Sequence, residues 1–138
     1  MPRDSRLYVT FPNDGSLRPY QEALPRGELY TYLVSWPADW ATSIVKVGIT
    51  SRPTRWRQFV SAGADLNLIV RSPTRFALDL ERDSHDLLAI VARRAFKSRE
   101  QSLPYLRNHG GWTECFEAAP VTAMRAMRVV LDALVQGR

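Results

Sequence analysis

Two β-branched and aromatic runs separated by a proline-containing turn constrain this chain more than any other feature. Leu29–Ser35 reads LYTYLVS and Ile44–Ile49 reads IVKVGI, with Pro37-Ala38-Asp39 between them. Val, Ile, Thr and Tyr fit a pleated, half-buried surface, so both runs are predicted as strands paired in an antiparallel hairpin with a longish loop. The second run breaks at Gly48-Ile49-Thr50, and an arginine-dense segment follows at once. A tyrosine of the first strand, Lys46 near Gly48 in the second, and Arg55 at the start of a helix then lie close together. Such a trio can grip a phosphodiester.

The rest of the chain follows in short units. Arg52 to Ala62 suits a short helix after Pro53, stopped by Gly63, and Leu66–Arg71 a third strand ended by Ser72-Pro73. Arg75 to Lys97 carries the longest helical signal, with Ala77, Leu80, Ser84, Leu87, Leu88 and Val91 at three- and four-residue steps. Ser98 to Gly111 reads as a polar loop, and Trp112–Ala118 as a short strand. Pro120 then opens a final helix to Val135, with Val121, Met124, Met127, Val130, Leu131 and Leu134 on one face. The predicted order is ββαβαβα, a small α+β domain with a mostly antiparallel sheet. It occupies residues 28–138. Residues 1–27, rich in Pro, Gly, Asp and Arg, are predicted as an irregular arm with a short strand at Leu7–Thr10.

Charge and cysteine content narrow the function classes. The net charge is +5, and of 19 basic residues only Lys46 and Lys97 are lysines, leaving 17 arginines. Arginine forks onto phosphates and stacks on bases, so an acidic partner is expected. A compositional bias would give the same balance. The lone Cys115 excludes an intramolecular disulfide framework and a multi-cysteine metal cage, and it reads as a buried small hydrophobe. No apolar run reaches the roughly 18 residues of a membrane span, and MPRDSRLYV lacks the apolar core of a signal peptide. A soluble, cytoplasmic protein is expected.

Five segments in order carry a resemblance: Tyr32-Leu33-Val34, Lys46-Val47-Gly48-Ile49-Thr50, Arg55, Leu80-Glu81 with His85, and Glu114-Cys115-Phe116. Together they resemble the GIY-YIG nuclease superfamily, in particular its phage and bacterial branch with a K-[IV]-G-x-T second motif. The resemblance covers residues 28–118. It implies a three-stranded antiparallel sheet flanked by helices, and cleavage of DNA phosphodiesters with one divalent cation, Mg²⁺ or Mn²⁺. RNA is the alternative substrate, and a homodimer or a recognition partner would supply specificity.

The resemblance also implies roles. Tyr32 matches the first motif tyrosine, which assists the general base, with Tyr30 as rival because both face the same way on one strand. Lys46 stands where the second motif tyrosine is expected, and its ammonium either favours a phenolate at Tyr32 or screens the scissile phosphate. Gly48 supplies the motif glycine. Arg55 matches the phosphate-binding arginine, with Arg52 and Arg57 as further substrate-binding candidates. Where some members carry a histidine one turn later, this chain has Phe59. Glu81 matches the metal-binding glutamate, and His85, four residues on, lies beside it on one helix face. Glu114 reads as a supporting or structural group, Phe116 as core, and Asn108 or His109 as candidates for an asparagine found near the metal. Trp36, Trp40 and Trp56 read as core plugs in preference to base-stacking platforms.

Each candidate also has a plain reading. Lys46 can be a strand-end lysine snorkelling to water. Glu81 can be a surface carboxylate paired with Arg82 or Arg75, and the arginines can be a solvated helix face. The rivals to a nuclease are a non-catalytic nucleic-acid-binding module on the same fold and a small protein-interaction domain.

Overall fold

β-Branched and aromatic residues form strands here because both faces of the sheet are covered. The structure, a computed structural model, describes residues 8–10, 23–38 and 42–137. Trp40, Asp39 of the turn and most of the N-terminal arm lie outside the described residues. In chain order the elements are β1 (Tyr8–Thr10), β2 (Glu28–Pro37), β3 (Ser43–Thr50), α1 (Thr54–Ser61), β4 (Asp65–Pro73) and α2 (Thr74–Val91). After them come β5 (Arg93–Arg94), α3 (Arg99–Leu106), a 3-10 turn (Trp112–Glu114), β6 (Cys115–Glu117) and α4 (Pro120–Gly137).

The fold is α+β. The expected hairpin forms, with β2 and β3 antiparallel and Tyr32 opposite Gly48. The three-stranded sheet of the expectation is corrected. Among the described residues the sheet has six strands in the order β1-β4-β2-β3-β6-β5, every pair antiparallel. The added strands are two or three residues long, too short to show an alternating pattern. Between Leu33 and Val34 the pairing with β4 skips Asn67, a bulge that sharpens the local twist beside Tyr32.

Alternation along the strands divides the apolar residues into two layers. Leu33, Val45, Val47, Leu68 and Val70 point to one face, under Phe76, Leu80 and Leu88 of α2 and Ala123, Met127 and Val130 of α4. Tyr30, Tyr32, Val34, Trp36 and Ile44 point to the other, under Trp56 and Phe59 of α1 with Phe96, Leu106 and Cys115. Trp36 and Trp56 are therefore core residues, as expected.

Three predicted elements need correction. α2 ends at Val91, not Lys97, because Ala92 turns extended and Arg93–Arg94 pairs with β6. Arg94 stacks on the Phe116 ring and Phe96 enters the second layer, contacts a continued helix could not make. The supposed polar loop from Ser98 contains α3, capped by the Ser98 hydroxyl accepting from the Gln101 amide at 3.4 Å. The last predicted strand begins only at Cys115, after the 3-10 turn. On α4 the buried stripe is Ala123, Ala126, Met127 and Val130, while the predicted Val121 is exposed.

Candidate active site

The site lies where one edge of the sheet is left open. β6 pairs with Ile44, Val45 and Lys46 of β3 and then stops. Continued antiparallel register would place Glu114 across from Val47. Instead Gly111, at φ +98°, starts the 3-10 turn, and the chain swings off the sheet. His85 Nε2–H donates to the freed Val47 carbonyl at 2.8 Å in place of a strand amide. α2 covers the face opposite Tyr32, yet through this gap its side chains reach the other layer.

The spacing on α2 explains which side chains arrive. Leu80, Ser84 and Leu88 are buried toward the sheet. Glu81 and His85 are each one position further on, so they share the flank that overhangs the open edge. There they meet Glu114, and one ligand atom from each of the three lies within 4.8 Å of the others. Burial raises the Glu81 carboxyl above its ordinary range, as does Glu114 nearby, while His85 and Lys46 oppose the rise. Glu81 is not the surface carboxylate of the plain reading. Arg82 pairs with Asp79 and Asp83 instead, at 3.2 and 3.0 Å.

Lys46 enters from the tyrosine layer. Its side chain is 3% exposed and its Nζ lies 3.5 Å from Glu114 Oε2, so it is an ion-paired buried cation and does not snorkel. A charge this deep needs a partner, because taking an ammonium out of water costs several kcal/mol. The same Nζ sits 5.7 Å from the centres of both the Tyr32 and Phe59 rings. Two glycines make room. A Cβ on Gly48 would overlap the Tyr32 hydroxyl and stand 2.6 Å from its Cζ, and a Cβ on Gly111 would stand 2.6 Å from Lys46 Cε. Tyr32 is 1% exposed. Tyr30, two residues earlier, packs edge-on against Trp56 at 4.9 Å.

Arg55 closes the site from α1. Its guanidinium lies 5.1 Å from the Phe59 ring centre and donates to the Gly110 carbonyl at 3.3 Å, beside the glycine that seats Lys46. Phe59 is fully buried and touches Tyr32, Trp36, Lys46, Arg55 and His109. It is a packing hub where a polar group was looked for. His109 stands edge-on to that ring at 5.6 Å, while Asn108 is exposed. Arg52 and Arg57 are exposed, and neither touches the cluster among the described residues. Burial pushes the Cys115 thiol up to about 12, so it is a neutral small hydrophobe there.

Tyr32, Lys46, Glu81 and His85 are thus brought together, with Arg55 at the rim. Glu114 was undervalued in the sequence. Its signal is a carboxylate three residues after a Gly-Gly pair and immediately before a strand. No protein-family model, curated protein or solved structure matches the chain.

Proposed function

We propose that the chain is a metal-dependent endonuclease of GIY-YIG type that hydrolyses DNA phosphodiesters. The observation that carries this reading is the convergence of a phenol, an ammonium, an imidazole and two carboxylates, from four elements, at one open sheet edge.

Charge balance supports it. Ionised Glu81 and Glu114 and phenolate Tyr32 with protonated Lys46 leave two net negative charges in a half-buried cluster, which a divalent cation cancels. Arg55 then balances the single charge of a bound phosphodiester, and the sum stays at zero as the phenolate's charge passes to the pentacovalent transition state. Glu81, His85 and Glu114 are close enough to hold such a cation after small side-chain rotations, since ligand bonds to Mg²⁺ are about 2.1 Å. When bound, the cation stabilises charge on the phosphoryl oxygens.

The chain's own groups supply the rest. Tyr32, with Lys46 over its ring, takes a proton from the attacking water as phenolate. The water oxygen bonds to phosphorus and the P–O3′ bond breaks. The electron pair leaves on O3′, which takes its proton from solvent. Arg55, held against Phe59 and Gly110, donates to a non-bridging oxygen.

Supercoiled plasmid tests the reading. The wild type should nick it with Mg²⁺ or Mn²⁺ and not with chelator. Glu81→Ala should slow nicking by about 100-fold or more with the fold intact. Equal cutting by Glu81→Ala removes the site assignment. Salt-sensitive binding without any cleavage would leave a nucleic-acid-binding module.

A further inference from the structure

We infer that Glu81, His85 and Glu114 form a three-ligand chelate that selects a transition-metal dication, Mn²⁺ over Mg²⁺. The inference rests on the metal site of the proposed function, but not on cleavage.

Mg²⁺ is hard, prefers oxygen and keeps several waters, so one carboxylate suffices to hold it. An imidazole adds little for Mg²⁺ and much for Mn²⁺ and the later first-row ions. The histidine here is prepared for coordination. Its Nε2–H is committed to the Val47 carbonyl at 2.8 Å, which leaves the lone pair on Nδ1 and fixes the ring plane. Metal-bound histidines are commonly oriented by such a bond from the other ring nitrogen to a carbonyl. The carbonyl is available only because β6 stops at the residue paired with Lys46.

The remaining ligands are also held. Glu81 is one turn before His85 on the same helix, and its half-buried carboxylate has no hydrogen bond or ion pair among the described residues. The Glu114 amide donates to the Gly111 carbonyl at 3.0 Å, which fixes the turn that carries its carboxylate. The Tyr32 ring centre lies 5.7 Å from Lys46 Nζ, which pairs with this carboxylate at 3.5 Å. One ligand atom from each of the three residues lies within 4.8 Å of the others, and Lys46 is paired with one of the two carboxylates.

Room-temperature electron paramagnetic resonance of free Mn²⁺ reads the inference directly, because bound Mn²⁺ leaves the sharp six-line signal. Chelator-treated full-length protein should remove one Mn²⁺ per chain, and about a 100-fold excess of Mg²⁺ should be needed to return it. Glu114→Gln should weaken Mn²⁺ by about tenfold or more. His85→Gln, whose amide can still donate to Val47, should do the same and bring the Mn²⁺ and Mg²⁺ affinities together. Should His85→Gln fail to fold, Glu114→Gln alone decides, since its amide oxygen still accepts from the buried Lys46 ammonium.

Unchanged Mn²⁺ affinity in a folded variant, displacement by equimolar Mg²⁺, or no binding by the wild type each overturns the chelate. A chain that binds Mn²⁺ through all three residues but leaves plasmid intact overturns the nuclease reading alone. Mg²⁺-driven nicking indifferent to His85→Gln and Glu114→Gln overturns this inference alone.

Discussion

Gly48 faces Tyr32 across the hairpin, and the phenol occupies the space a side chain would need. Gly48→Ala must therefore move the ring or the strand. Overpacking of this kind costs about 1–3 kcal/mol, and a phenol displaced by about 1 Å should slow the proposed reaction roughly 100-fold. Denaturant melts and plasmid nicking measure the two effects. Glu81 gives a prediction with a sign. Its carboxyl is raised by burial, so the folded chain holds that proton more tightly than the unfolded one. The resulting stability is full below the unfolded value, about 4.3, and is lost as pH rises through the folded value. At neutral pH without metal, Glu81→Gln should therefore raise Tm by roughly 2–4 °C, a modest gain because the group is only half-buried. The gain should vanish near pH 4 and reverse when saturating Mn²⁺ is added, as calorimetry would record.

At the scale of elements, α3 and the 3-10 turn hold Glu114, His109 and Gly111 against the hairpin. α3 buries only Ser102 and Leu106 and contains Pro104, so it leans on its cap. Ser98→Ala removes an acceptor for the Gln101 amide and should cost about 1 kcal/mol, read as a lower urea midpoint. These features also explain what the sequence could show. The hairpin and α2 were legible because each has a long buried face, which writes a period into the chain. α3 was not, since two buried residues make no period and Pro104 argues against a helix, although Ser98 followed by Gln101 was a capping signal. β5 and β6 were hidden for a related reason: their pairing is decided by partners distant in sequence. Glu81, His85, Lys46 and Tyr32 could be named from their motifs. The role of Glu114 depends on a strand ending early, and single-chain patterns do not report where a strand loses its neighbour.

The whole molecule consists of two apolar layers separated by one sheet, and the site is the place where both contribute side chains. No helix among the described residues is long and apolar enough to cross a membrane. With a net charge of +5 and arginine as 17 of its 19 basic residues, the proposed DNA binding should be strongly salt-dependent. With about three phosphates contacted, affinity should fall about 40-fold between about 50 and 200 mM salt, a slope that gel-shift titration gives directly. Removing Arg55 should lower that slope by about 1. The brevity of β6 governs all of this. Two more paired residues would satisfy Val47 with backbone, carry the Glu114 carboxylate away and leave the imidazole nothing to lean on. A fully zipped sheet and the proposed centre are alternatives for this chain, and the proposed chemistry depends on one seam staying undone.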